Sequence, residues 1–272
     1  MTSPERAPSP PEEDCGTKRT SKCCFAKPWI PKRSGHVADN DKMSKRFKSG
    51  SLCVYCSKQP AITGDHIFAR EFFLESARVN LPKAPICTKC NNEKSKLEHY
   101  LTAVLPFGGQ HPDAPENLTS MVPKRLRKNV RLHRQLSKGI SAGMIPLEGG
   151  KIEKLFGLIS RGLAWYHWNI YLNEEDHLSR AVAVTPTGAQ LLDDHLFKLT
   201  GRDCVNESVG NCTFRYEGKQ GTDAPTVTIW RFSIYGGLLV SDGRGHFVSQ
   251  IVAITGPSEI VSGFISSIKH SS

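Results

Sequence analysis

The chain has 272 residues, 38% of them hydrophobic, and a formal net charge of +10. That length suffices for one large domain or two smaller ones with a real core, and no apolar run approaches the ~18 residues that span a bilayer. Residues 1–11 are polar and proline-rich without an apolar leader. The nine cysteines therefore point to metal binding in a reducing, cytoplasmic setting rather than to a disulfide framework.

Charge is spread unevenly. Residues 1–50 carry eleven Lys/Arg against six Asp/Glu, and residues 119–150 carry seven against one. Two basic stretches thus flank a neutral segment, an arrangement that attracts a phosphate backbone. A solubilising tail and a solvated helix face would give the same charge pattern.

Taken in chain order, residues 1–47 are rich in Pro, Ser, Lys and Glu without a sustained period, and are expected to be a disordered basic tail. Residues 48–105 form a compact cysteine module. Cys53-Val-Tyr-Cys56 and Cys87-Thr-Lys-Cys90 are two C-x-x-C pairs, thirty residues apart. Four thiolates so spaced suit one tetrahedral zinc that pins the start of the module to its end. Within the module, Ala61–Ile67 reads as a strand, a turn and the start of a second strand. Residues 69–77 have the makings of a short helix, and residues 91–104 show helical spacing (Leu97, Tyr100, Leu101, Val104) stopped at Pro106.

Residues 106–150 read as a Gly/Pro/Asn-rich linker (106–120) followed by a basic helix over 121–140. That helix contains Lys124, Arg125, Arg127, Lys128, Arg131 and Arg134 without an acidic interruption. The steps of three and four over Ile152, Leu155, Phe156, Ile159, Leu163, Tyr166 and Ile170 predict a helix over 151–171. A further helix is expected from Gly188 to Leu199. Strands are expected at 213–216, at 226–240 broken by Gly236-Gly237, and at 246–255, with a turn at 241–245. Residues 151–272 therefore read as an α+β domain of unassigned role.

The chemistry gathers inside the cysteine module. Phosphodiester hydrolysis needs a base to activate water and a metal to stabilise developing charge. His66 suits the base role because imidazole titrates near neutrality. Asp65 and Asn91 are hard oxygen ligands suited to Mg²⁺ or Mn²⁺. His99 on the motif helix is expected to face solvent, and His167, amid Trp165, Tyr166 and Trp168, to belong to an aromatic packing face. Asp193-Asp194-His195 reads as a polar helix surface, because adjacent helical residues point to different sides.

The string Cys53-Val-Tyr-Cys56 … Thr63-Gly64-Asp65-His66-Ile67 … Cys87-Thr-Lys-Cys90-Asn91-Asn-Glu-Lys94 resembles the HNH endonuclease family, specifically its zinc-bearing bacterial members. The resemblance covers residues 52–104. It implies a ββα-metal module, a two-stranded ribbon and a helix clasping a divalent ion. His66 would then be the general base, Asp65 and Asn91 the ligands of a catalytic Mg²⁺ or Mn²⁺, and Lys94 a residue close to phosphate or orienting the site. Cys53, Cys56, Cys87 and Cys90 would hold structural Zn²⁺. Pro82 stands where the middle Asn of the triplet commonly lies, so Asn80 takes the role of orienting the histidine through the ribbon backbone.

The run from Cys90 to Tyr100 and the string Arg161-Gly162-Leu163-Ala-Trp-Tyr166-His167 are similar to a bacterial HNH subgroup with an uncharacterised C-terminal half. The expected activity is hydrolysis of DNA, double-stranded in the first instance with RNA left open. No membrane partner is expected, and a homo-oligomer is compatible with the sequence. The alternative is a non-catalytic zinc module that binds nucleic acid.

Overall fold

A computed structural model describes residues 50–141, 147–185, 188, 204–238, 240–241, 247–248 and 250–270. The expected N-terminal tail, all but the first residue of the 188–199 helix, Asp193-Asp194-His195 and the turn at 242–245 lie outside the described residues. The architecture is α+β.

Strand β1 (Thr63–His66) pairs antiparallel with β2 (Lys83–Ile86), from Thr63 opposite Ile86 to His66 opposite Lys83. The expected turn at Gly64-Asp65 does not form. Both residues stay in β1, and the partner strand comes later in the chain. The physical reason lies in the connection, which inserts Ile67, Phe68, Phe72, Phe73 and Leu81 into the core. In place of a helix over 69–77 it makes two single 3₁₀ turns, Arg70–Phe72 and Glu75–Ala77. A short irregular path can turn both Phe72 and Phe73 inward, where a regular helix would point adjacent side chains apart.

Helix α1 (Thr88–Val104) follows β2 directly, and Pro106 enters a 3₁₀ turn beyond it. The expected linker contains α2 (Asp113–Ser120), and it is a packed element. Asn117 is fully buried and donates to the carbonyls of Glu71 and Phe72, while Tyr235 Oη donates to Phe72 O at 2.7 Å. Thr213 Oγ1 donates to Asp113 Oδ2 at 2.7 Å. The segment therefore ties the β1–β2 connection to the C-terminal sheet. Polar composition hid it, because its inward groups are hydrogen-bonded rather than apolar.

The basic stretch forms two helices, α3 (Val122–Lys128) and α4 (Val130–Ser141). They break at Asn129 (φ −133°, ψ 78°), whose Oδ1 accepts from Leu132 N at 3.0 Å and caps α4. Helix α5 (Gly149–Trp168) ends at Asn169, which takes a left-handed conformation and donates to the carbonyls of Ala164 and Trp165.

Strands β3 (His177–Val184), β4 (Cys204–Val209), β5 (Phe214–Gln220), β6 (Thr228–Ile234) and β9 (Gln250–Pro257) make one antiparallel sheet, ordered β3-β9-β6-β5-β4. The short β7 (Val240–Ser241) and β8 (Phe247–Val248) pair separately. Helix α6 (Ser258–His270) follows β9. Alternation along β3 and β9 sends Ala181, Ile251 and Ala253 into the main core, and Val182, Val184 and Val252 into a second cluster with Phe264 and Ile265 of α6.

Helix α5 lies between the sheet and the cysteine module, and two glycines allow it. A Cβ on Gly157 would sit 2.9 Å from Ser179 O of β3, and one on Gly162 would sit 3.1 Å from Ile67 and from Tyr55 Oη. The main core runs without a break from Cys53 through Phe156 and Leu163 to Trp230 and Ala253. Among the described residues no helix is long and apolar enough to cross a membrane.

Candidate metal centre and adjoining pocket

The four cysteines of the two pairs converge. Their sulfurs all lie within 4.8 Å of one another, and Cys56 Sγ is 3.9 Å from Cys87 Sγ. Tetrahedral zinc with bonds of about 2.3 Å requires sulfurs about 3.8 Å apart, so the cluster has the size the ion needs. All four are buried free thiols.

Local structure explains the convergence. In the Cys53–Cys56 knuckle, Ser57 N returns to Cys53 O at 2.8 Å, and Val54 N donates to Pro85 O of β2 at 3.0 Å. Cys87 is the N-cap of α1, and its sulfur accepts from Cys90 N. Burial pushes the Cys53 thiol up to about 11 and Cys90 higher still. Burial also acts on Cys56, but the backbone N–H groups of Lys58 and Gln59 and the neighbouring thiols outweigh it, and its pKa falls. Thiols packed this closely resist shared ionisation until a cation offsets it, as structural zinc does. The cluster fits a metal such as zinc.

Next to it lies a second group of polar side chains. Lys94 is 1% exposed, and its ammonium donates to Asp65 Oδ2 at 2.7 Å, to the carbonyl of His66 at 2.7 Å, and to Glu98 Oε1. Its three N–H groups are therefore all used. In this arrangement no N–H of Lys94 is left for a phosphate. One lysine shared by two carboxylates leaves the group net −1 when both are ionised. Burial pushes Glu98 up to about 7; Lys94 pulls it down, and Asp65 and Glu71 push it further up. Asp65 Oδ1 is engaged by no described residue, and its side chain is 25% exposed. Asn91 precedes Lys94 by one turn on the same side of α1, half-buried.

His66 ends β1 and is also half-buried. Its pKa lies below 6.5, first because burial disfavours the imidazolium, then because Lys83 faces it across the ribbon; Asp65 opposes the shift. His66 Nδ1 is buried without a hydrogen bond.

Asn80 is exposed and left-handed (φ 58°), and hydrogen-bonds no described residue through its side chain. The link between the two sides of the loop is a backbone bond, Ile67 N to Pro82 O at 2.8 Å.

Of the basic residues singled out on α3 and α4, Lys124, Arg127, Lys128, Arg131 and Arg134 are at least partly exposed. Arg125 departs from the expectation. It is buried, and its guanidinium donates to Thr102 O at 2.7 Å and to Glu71 O at 2.5 Å, joining α3 to α1 and to the β1–β2 connection. His167 packs among Tyr166, Trp168 and Trp230 and bonds Tyr216 Oη at 3.1 Å, as an aromatic packing face requires.

Sequence reasoning missed Glu98 and Arg161. The Lys94–Glu98 spacing of four was the available signal for the first. Arg161 on α5 is buried and donates to the carbonyls of Tyr55, Leu172 and His177 and to Ser179 Oγ. It bonds the cysteine knuckle itself. No family model, no curated protein and no solved structure matches the chain.

Proposed function

We propose that this protein is a metal-dependent endonuclease of the HNH type, hydrolysing DNA phosphodiester bonds beside a structural zinc. The observation that carries the reading is the junction of β1 and α1, where Lys94 fixes Asp65 and the backbone of His66 against the cysteine frame. A ribbon followed at once by a helix is the element order the sequence resemblance implies.

In this reading His66 accepts a proton from the attacking water. Its lowered pKa keeps the imidazole neutral at pH 7, as a base must be. Lys94 holds the strand end that carries it. Asp65 Oδ1 and Asn91 are the groups that would hold Mg²⁺ or Mn²⁺, and ionisation of Glu98 above about pH 7 gives the Asp65–Lys94–Glu98 group a net negative charge that favours a cation there. Such an ion, when bound, supplies positive charge to the scissile phosphate and the leaving oxygen. The exposed cations of α3 and α4 would grip the backbone.

Two observations favour the second reading, a zinc module that binds nucleic acid without cutting it. An ammonium already sits on Asp65 Oδ2, and Asn80 makes no side-chain hydrogen bond to the histidine. A single experiment separates the two: plasmid cleavage with Mg²⁺ or Mn²⁺ by the wild type and by His66→Ala, each assayed for zinc. The nuclease reading expects cleavage that falls about 10²–10⁴-fold in the variant at one retained zinc per chain. Undiminished cleavage in the variant, or DNA binding by the wild type with no cleavage in either metal, would overturn it.

A further inference from the structure

The outer side of α1 forms a trough with α3 and α4. Two clefts, each about 440 Å³, open there and share His99. One is lined by Lys124 and Lys128 with Glu71, Glu98 and Thr102; the other by Lys96 and Arg131 with Gln135 and Lys151. His99 borders both, so the two clefts lie side by side along the helix.

The charge in this trough is uncommitted. Lys96, Lys124, Lys128 and Arg131 are exposed and make no ion pair with any described residue. The acids are different. Glu98 is held by Lys94 and Glu148 by Lys151 at 2.7 Å, which leaves Glu71 as the lining carboxylate without an ion pair among the described residues. A concave wall with excess positive charge concentrates its field on whatever enters.

We propose that this trough holds consecutive phosphates of one DNA strand by their charge, without reading bases; the proposal rests on the nucleic-acid reading above. Along α1 the trough runs from Ser95 to Thr102, roughly 10 Å at 1.5 Å per residue. At about 3.4 Å per phosphate on one strand, that length faces two or three phosphates. Among the described lining residues no Phe, Tyr or Trp face is open for stacking. Tyr100, the lining aromatic, carries the Lys151 ammonium 3.9 Å from its ring centre, and its hydroxyl accepts from Glu148 N. Asn129 spends its amide oxygen on the α4 cap. The trough wall includes Glu98, which shares Lys94 with Asp65. A strand lying there passes alongside the β1–α1 junction.

The test is fluorescence anisotropy on the zinc-loaded full chain with labelled 20-nucleotide single strands, dT20 and two mixed sequences, over a salt series. The double variant Lys96→Gln/Lys128→Gln is compared with Lys154→Gln/Arg180→Gln, an equal charge change outside the trough. Expected are affinities equal within about twofold across sequences. The trough variant should bind roughly tenfold or more weakly, with a salt slope smaller by about 1.4 for two lost phosphate contacts. The control pair should stay near wild type. If the wild type binds DNA and both double variants weaken it equally, the trough assignment alone fails. If the wild type binds neither these single strands nor the same 20-mers annealed as duplexes at any salt, or a labelled 20-residue polyglutamate binds as tightly, the nucleic-acid reading fails with it.

Discussion

Replacing Glu98 with glutamine tests the charge balance beside His66. Glu98 is pushed from 4.5 to about 7 in the folded protein, burial being the main cause. Below 4.5 it is protonated in both folded and unfolded chains. Between 4.5 and 7 the folded chain keeps a proton that the unfolded chain has released, so stability falls as pH rises through that window. At about 1.4 kcal/mol per pH unit the loss approaches about 3 kcal/mol above neutrality. The side chain is 16% exposed, so solvent screening takes little from this figure. Glutamine keeps an acceptor for Lys94 and has no proton to lose. The stability of Glu98→Gln relative to wild type should therefore rise by about 3 kcal/mol between pH 4.5 and pH 7.5, or roughly 6–12 °C in Tm for a chain of this size. Urea unfolding of the zinc-loaded, magnesium-free proteins across that range gives the number. A difference that stays constant with pH would refute the assignment of Glu98 as the strained carboxylate.

Substitutions at three further positions read the structure directly. Arg161→Met leaves the carbonyls of Tyr55, Leu172 and His177 without their donor; it should cost about 3–5 kcal/mol in urea unfolding and speed zinc loss to a colorimetric chelator, with no rescue by Arg161→Lys. Arg125→Ala and Lys124→Ala should separate. The first should lose about 2–3 kcal/mol of stability through the stranded carbonyls of Thr102 and Glu71, and the second should change stability by less than about 0.5 kcal/mol while lowering DNA affinity in anisotropy.

The parts legible in the sequence were those whose signal is local. Cys53, Cys56, Cys87 and Cys90 announce themselves by spacing, and their sulfurs do converge. Helix α5 follows its apolar period almost to the residue at which Asn169 ends it. What stayed hidden depends on partners far along the chain. Strand β4 (Cys-Val-Asn-Glu-Ser-Val) lies at the sheet edge and half faces solvent, so it carries little apolar signal. Arg125 looks like a surface cation in the sequence, and the resemblance singles out Lys94 without its partners; only the tertiary fold supplies the carboxylates and carbonyls that bury them. Helix α2 reads as a linker in the sequence for the same reason: Asn117 and Asp113 face inward because Phe72, Tyr235 and Thr213 come to meet them.

The cysteine frame and the C-terminal half are less separable than their sequences suggest. A four-thiolate zinc site carries two net negative charges, and a buried cation that hydrogen-bonds its knuckle backbone is Arg161, which belongs to α5. Burial lowers the pKa of Arg161; Glu174 first, and then the thiols of Cys56, Cys90 and Cys53, favour its charged form. On the other side of the module Lys94 plays the matching part for Asp65 and Glu98. Each buried cation thus offsets carboxylate or thiolate charge that the module could not bury by itself. Gly162 lets α5 approach Ile67 and Tyr55 closely enough for Arg161 to reach the knuckle. The knuckle, β1 and α1 are therefore held at a fixed angle from two sides. A nuclease needs that rigidity to keep a histidine and a carboxylate in register, and a binding module would need it only to present the trough.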